Sequence, residues 1–287
     1  MLIYQYKWGV YMQILVLGNN KDKDFYKNSK ADGYIFPLDG YSMDYEVKFT
    51  ISEIELLRNK KKKCFIIINR MFFEEDIDEL DKLLLKINNY NIDGILYYDD
   101  ALLELKIRNN YKTNLYINKN YMMCNSDTIN FYHRYGVRGV VLSNEITLGE
   151  INDIRNNTSL EIMQLLIGYP VVASSRRSLV TNSGNKEKIE VVEPKSKQHY
   201  KIIEDEFGSS FISLKRFNGC RYLDDFKSIE YGIIYQDDLS IDIINRLLEN
   251  IYRYFEESSV EIDNKLTNDI NSLKEYSRNN IRRSSLY

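Results

Sequence analysis

The sequence predicts an α/β protein of the TIM-barrel type, in which strand–helix units repeat around a closed or nearly closed ring. The first observation is that short apolar runs recur at regular intervals, with segments of helical apolar spacing between them. Strands that alternate with helices through short loops favour a parallel sheet. The second observation is the length of 287 residues, which suits a single barrel. A C-terminal hairpin and a helical tail complete the predicted fold.

The predicted strands are short runs of apolar and β-branched residues bounded by polar or glycine-containing turns. The first reads QILVL from Gln13, and the third reads CFIII from Cys64. The eight ranges are 13–17, 33–36, 64–68, 94–98, 114–117, 137–142, 160–167 and 231–235. This number favours a barrel over an open doubly wound sheet.

The predicted helices lie between these strands. Residues 74–87 place apolar side chains on one helical face. Thr147 with Glu150 forms a capping box at a helix start. Thr50, followed by the acidic Glu53, likewise predicts a helix start with a hydroxyl cap. Further helices are expected at 101–107, 127–135 and 240–255.

The strand–helix period breaks after residue 182. Residues 183–198 are polar and charged and predict a loop or mobile flap, and the step at 206–208 between two alternating runs predicts a hairpin. We therefore assign 12–182 to the barrel core and 183–287 to the flap, the hairpin, the last strand–helix unit and C-terminal helices of the same domain. Residues 1–11 are either an N-terminal extension or a short ordered strand.

Composition excludes several classes of protein. The 39 basic and 42 acidic residues nearly balance, so bulk electrostatic binding of nucleic acid is not expected, although a local basic patch stays open. Three scattered cysteines form no CxxC pair, which argues against a disulfide scaffold and fits a reducing compartment. No apolar run is long enough to span a membrane. We expect a cytoplasmic protein that does not contact membranes.

Short motifs occur in an order and spacing that match a known family. They are Ala31-Asp32-Gly33-Tyr34, Phe49-Thr50 before a helix, Ile68-Asn69 at a strand end, Asp93-Gly94-Ile95 with Asp99, Asn125, and Leu142–Ile146 with Glu150. Together they resemble the U32 peptidase family, whose members include collagenase-like proteins and tRNA and rRNA hydroxylation proteins. The resemblance covers about residues 12–182 and implies a barrel.

The segment IGYPVVASSRRSLVTN departs from the family pattern HGxxCxxxxGRCxLSN. Gly168, Arg177 and Asn182 fit that pattern. An isoleucine replaces its histidine, and Val171 and Ser178 stand where it has cysteines. Many family members carry an iron–sulfur cluster, which usually needs four thiolates. The chain therefore resembles a degenerate member, for which we predict no cluster, no other cofactor and no metal.

Chemistry in parallel barrels collects on loops at the carboxyl ends of the strands. That face is predicted to carry Asn69, Asp99, Asp100, Asn118, Asn120, Asn125, Glu145, Ser174–Arg177 and Asp237–Asp238. Asp99 and Glu145 follow strands four and six, and a carboxylate pair there would do acid–base work or hold a hard cation. The alternative is that each caps a helix or pairs with an arginine.

Ser174, Arg176 and Arg177 form the predicted anion-binding segment, because guanidinium groups suit phosphate and carboxylate. The alternative is a solvated basic turn. Asn69 and Asn125 are added as binding residues because they match family asparagines.

Three functions follow from these residues and the resemblance. The first is an RNA-modification protein, or its accessory subunit, that works with tRNA, a larger U32 paralogue or a small anionic ligand. The second is a peptidase, although the sequence has no HExxH or GxSxG motif, and neither His133 nor His199 is paired with a cysteine in a recognisable pattern. The third is a non-catalytic barrel that binds a small molecule or a protein.

Overall fold

The structure is a computed structural model that describes residues 12–120, 122–184, 189–195, 197–226 and 228–257. The predictions made for residues 1–11 and for the helical tail at 264–287 fall outside the described residues.

Eight parallel strands form a closed barrel, which confirms the predicted fold. In chain order they are β1 (Gln13–Leu17), β2 (Gly33–Pro37), β3 (Lys63–Ile68), β4 (Gly94–Tyr97), β5 (Leu115–Ile117), β6 (Gly139–Val141), β7 (Glu161–Gly168) and β13 (Tyr231–Tyr235). Each strand pairs in parallel with the next, and β13 pairs with both β7 and β1. These pairings close the ring without an open edge.

Helices connect the strands. They are α1 (Lys23–Asn28), α2 (Ile51–Leu57), α3 (Ile77–Ile87), α4 (Ala101–Asn109), α5 (Ser126–His133), α6 (Leu148–Asn157), α7 (Leu179–Asn182) and α8 (Ile241–Glu257). The capping boxes at Thr50 and Thr147 are both present. Within the described ranges, no helix combines the length and apolarity needed to cross a membrane.

A second, antiparallel sheet follows β7. Its strands are β8 (Val171–Ser175), β9 (Ile189–Val192), β10 (His199–Asp205) and β11 (Gly208–Ser213), in the order β8-β11-β10-β9. The predicted hairpin is confirmed, since Glu206 and Phe207 join β10 to β11. A short strand β12 (Phe217–Asn218) then pairs with β7.

The prediction of a loop or mobile flap at 183–198 is wrong at the centre of this range, where β9 forms a strand that pairs with β10. The sequence there reads as polar because β9 is an edge strand with alternately exposed residues. Strand β8 was not predicted either, because its side chains are only half-buried and show no contrast between its two faces.

Large side chains fill the barrel lumen. They are Leu15, Leu17, Ile35, Phe65, Ile67, Leu96, Tyr116, Val141, Met163, Tyr231 and Ile233. The Tyr116 ring occupies the space beside Gly94 and Gly139, and its hydroxyl donates to Glu161 Oε2 at 2.6 Å. A Cβ atom on Gly139 would lie 2.4 Å from this ring. Both glycines therefore make room for the tyrosine.

Gly139→Ala is expected to destabilise the barrel by about 1–3 kcal/mol, because overpacking forces neighbouring groups to shift. The added methyl would also lie 2.7 Å from the Glu161 carbonyl oxygen, which belongs to the adjacent strand. Urea unfolding measures the effect. The matched control is Gly149→Ala in α6, where the nearest atom is 3.9 Å away and stability should hold or rise. Equal stability of the two variants would contradict the packing described here.

Candidate functional site

The mouth at the carboxyl ends of the barrel strands is lined by polar residues. Asn19, Asn69, Asn118, Ser143 and Asp237 each lie two positions after a lumen-facing residue. Alternation along a strand places such positions on the lumen side of the rim. The strands therefore deliver five polar side chains to one opening.

The loop between β2 and α2 crosses this mouth. Ser42 accepts from the Leu38 amide at 2.8 Å and donates to the Ile67 carbonyl at 2.6 Å. Asn69 holds the next residue, accepting from the Met43 amide at 3.0 Å and donating to its carbonyl at 3.3 Å. These contacts fix the position of Asp44 and Tyr45, which follow directly.

The hairpin of the second sheet lies against the same loop. The Asp205 carboxylate accepts from the Asp44 amide and from Lys48 Nζ, both at 3.2 Å. The Ser210 hydroxyl donates to the Asp44 carboxylate. Ser174 lies one step further out, with its Oγ 3.1 Å from that of Ser210. The hairpin thus encloses Asp44 against the barrel.

The Asp44 carboxyl is adapted to hold a proton near neutral pH. Its pKa is raised to about 7, chiefly by burial and also by Asp205, against the lowering effects of Ser210 and Lys48. Its Oδ1 atom is buried with no hydrogen-bond partner in the part of the chain that the structure describes. No described group therefore competes with a ligand for this oxygen.

Asp237 provides a second perturbed carboxyl. Burial is the main cause that raises its pKa to about 6, against the lowering effects of Arg216 and of the hydrogen bond from the Tyr169 amide. That amide lies 3.2 Å from Asp237 Oδ2. On the other side, Asn19 donates to the Asp237 backbone carbonyl at 2.7 Å.

Tyr45 lies within electrostatic range of both carboxyls. Burial raises its pKa well above the ordinary value, and Tyr235, Asp44 and Asp237 each raise it further. The hydroxyl therefore stays protonated and can donate a hydrogen bond. Two carboxyls that titrate near neutrality beside a neutral tyrosine can support general acid–base chemistry.

Two of the sequence-predicted residues make local contacts, and a third is exposed. Asp99 accepts from the amides of Phe72 at 2.9 Å and Ala101 at 3.0 Å, so it bridges one loop and the start of α4. Asn125 caps α5 by accepting from the Thr128 amide at 2.9 Å. Glu145 is exposed after β6. Among the described residues no hydrogen bond or ion pair joins Asp99, Glu145 and Arg177.

The three residues of the predicted anion-binding segment have different environments in the structure. Ser174 belongs to the hydrogen-bonded chain that ends at Asp44. Arg176 donates to the Phe207 carbonyl at 3.2 Å and stacks 4.2 Å over the Phe73 ring, which anchors the hairpin. Arg177 is exposed to solvent.

The cysteine positions do not fit an iron–sulfur cluster. Cys64 lies at the amino end of β3, Cys124 lies beyond the carboxyl end of β5, and Cys220 follows β12. Cys64 and Cys220 are buried, which raises the pKa of each thiol to about 12. In the described ranges no group of three His, Cys, Asp or Glu residues is arranged to hold a metal ion.

Sequence reasoning missed Asp44, Tyr45 and Arg216. Asp44 and Tyr45 lie in the 13-residue loop 38–50 between β2 and α2. The periodic apolar pattern that predicted the strands and helices carries no information about such a loop. The length of this loop could have identified it as a candidate functional loop, because long loops at the carboxyl face of a barrel often carry function. Arg216 follows β11 in the second sheet, whose docking on the barrel no local pattern predicts.

Residues 42–235 match the protein-family model described as peptidase family U32. Among curated proteins, tRNA hydroxylation protein P2 of Bacillus subtilis is 24% identical over 173 residues, which cover 56% of each chain. tRNA hydroxylation protein P1 of the same organism is 25% identical over 138 residues, covering 47% of this chain and 33% of that protein.

An uncharacterized protease of Methanocaldococcus jannaschii is 26% identical over 137 residues, covering 46% of this chain and 33% of the protease. The matches thus extend over about half of the first curated relative and a third of the other two. Among solved structures, a U32 peptidase aligns with a TM-score of 0.47 at 12% identity, covering 59% of this chain and 74% of that one.

Asp44→Asn is expected to remove a pH dependence of folding stability. The pKa of Asp44 rises from 3.8 to about 7 on folding, so the native state binds more protons than the unfolded state between these values. The resulting stabilisation is complete below about pH 4 and is lost as the pH rises through about 7. Wild type should therefore lose about 2–4 kcal/mol more stability than the variant between pH 4 and 8.

Urea unfolding at several pH values measures this difference. Asp237 is present in both proteins, so its own titration cancels in the comparison. The matched control is Asp153→Asn on the exposed face of α6, whose pH profile should follow that of wild type. Parallel profiles for wild type and Asp44→Asn would show that Asp44 titrates normally.

Proposed function

The chain belongs to peptidase family U32, and from this premise we propose that it is an RNA-modification protein of the tRNA base hydroxylation type, or an accessory subunit of one, that works without an iron–sulfur cluster. Two curated relatives are named as tRNA hydroxylation proteins, which supports this branch of the family. The structural observation that carries the proposal is the pair of perturbed carboxyls, Asp44 and Asp237, at the barrel mouth.

The proposed role is to bind and position a tRNA base or a small acid at this mouth. Asp44 donates a proton to the bound group when its carboxyl is neutral or takes one from it when ionised, and Tyr45 donates a hydrogen bond. Since the cysteines do not fit a cluster, we assign no oxidation step to this chain. The oxidising chemistry then belongs to a partner, for which a larger U32 paralogue is the proposed candidate.

The geometry gives less support to a peptidase. A serine hydrolase needs a nucleophile within reach of a base. Ser159 Oγ does lie 3.1 Å from His133 Nδ1. Both residues are exposed, however, and they lie at the end of α5 and just before β7, at the amino ends of the strands. That surface is opposite the mouth, where barrel enzymes carry their chemistry.

Deletion of the gene in its source organism is expected to lower the content of hydroxylated uridine in tRNA. Mass analysis of digested tRNA nucleosides measures this, and the wild-type gene should restore it. Asp44→Asn should restore about a tenth or less, because removing a proton-transfer group costs about 10²–10⁴-fold in rate. A matched control is Glu249→Gln, an exposed carboxylate on α8, which should restore the content fully.

Glu145→Gln, expressed in the same deletion strain, tests whether the exposed rim carboxylate contributes to the same reaction. Each variant is compared at equal protein level, so that a folding defect is not read as a lost function. Unchanged hydroxylated uridine in the deletion strain would remove the proposal. Cleavage of a peptide library by the purified protein would favour the peptidase instead.

A further inference from the structure

Arg216 is a buried guanidinium with unused donors. It lies between β11 and β12, is 1% exposed, and makes one ion pair, with the Asp238 carboxylate through Nη2. Its Nε and Nη1 atoms are buried and have no acceptor among the described residues. One face of the guanidinium stacks on the Tyr169 ring, with 4.5 Å to the ring centroid.

This arrangement carries an energetic cost that an acceptor would relieve. A buried N–H group without a hydrogen bond destabilises the fold, and a charged one does so more strongly. Burial lowers the pKa of Arg216, while the nearby Tyr169 and Asp237 raise it. An anion that accepted hydrogen bonds from Nε or Nη1 would supply both the missing acceptor and a compensating charge.

The place of Arg216 in the fold also favours an anion. Tyr169 is the first residue after β7, and Asp238 follows the end of β13. These are the seventh and eighth strands of the barrel. In TIM barrels the loops after strands seven and eight frequently form a phosphate-binding site.

The two side chains that contact the Arg216 guanidinium are both partly exposed to solvent. Asp238 has 55% of its side chain exposed, and Tyr169 is half-buried. Asp237 is held beside them by the Tyr169 amide and by Asn19. Displacement of the Asp238 side chain would open the guanidinium without disturbing the barrel strands.

We propose that Arg216 anchors an anion-binding subsite at the barrel mouth, which takes the carboxylate or phosphate group of a small ligand. Asp238 occupies one donor in the empty state and gives way when the ligand binds. The inference rests on the proposed function in assigning the ligand to the same mouth, and it adds the charge and chemical class of that ligand.

The sequence-predicted segment is the alternative anion site. Arg176 already donates to a backbone carbonyl, and Arg177 is surrounded by solvent. Hydrogen bonds and ion pairs are weak where water competes and stronger where it is excluded. Arg216 is therefore the better placed guanidinium, and Arg177 serves as its control.

The test is isothermal titration calorimetry of the purified full chain with inorganic phosphate and, separately, with malonate. We expect wild type to bind at least one probe with a Kd of about 1 mM or below. Arg216→Lys should weaken binding about tenfold or more, because lysine lacks the planar set of donors. Asp238→Asn should strengthen binding several-fold, because it removes the competing negative charge.

Asp238→Asn keeps the test decisive if Arg216→Lys fails to fold, since Asp238 lies at the surface. Arg177→Gln should leave both affinities unchanged. Binding of phosphate alone identifies a phosphate ester as the ligand class, and binding of malonate alone identifies a carboxylic acid. Absence of binding for both probes, loss of binding in Arg177→Gln, or equal affinities for wild type and Asp238→Asn would overturn the proposal.

The two proposals fail separately. Anion binding at Arg216 together with unchanged tRNA hydroxylation in the deletion strain overturns the proposed function and leaves the subsite in place. Lost tRNA hydroxylation together with no anion binding overturns the subsite alone.

Discussion

Closure of the parallel barrel is the constraint on which the other features depend. All eight strands of the closed ring run the same way, and this brings every carboxyl end to one rim. The lumen must then be packed solid, and Tyr116 fits there only because Gly94 and Gly139 leave space for its ring. Polar residues two positions beyond the lumen layer, such as Asn69 and Asp237, therefore meet at the mouth.

The second sheet turns this open rim into an enclosed site. Its hairpin packs Phe207 on Arg70, with 4.8 Å from the guanidinium to the ring centroid, and Asp205 holds the loop that carries Asp44. Enclosure removes water from Asp44, and the loss of hydration raises its pKa. The chemistry of this carboxyl thus depends on a sheet that lies outside the barrel.

Sequence periodicity predicted the barrel well because burial there is periodic. Strand β13 was predicted with the bounds that the structure shows, and the capping box at Thr147 follows from two residues of matching chemistry. Strand β9 and the partners of Asp44 were not predictable in this way. Strand β9 is an edge strand whose alternately exposed residues give it a polar sequence. The partners of Asp44 depend on docking between segments more than 150 residues apart, as between Asp44 and Ser210, and no local pattern records such contacts.

The mouth retains features that cost stability, which argues that they serve binding or chemistry. Asp44 and Asp237 both have positive φ angles, of 73° and 45°, an uncommon conformation for residues other than glycine. Each also carries a carboxyl that burial makes harder to ionise. Arg70 shows a smaller deficit, because its buried guanidinium is stacked between rings and paired with Asp76, and only its Nε lacks an acceptor in the described ranges. Arg216 keeps two donors unused, so its burial is better explained by a ligand than by packing.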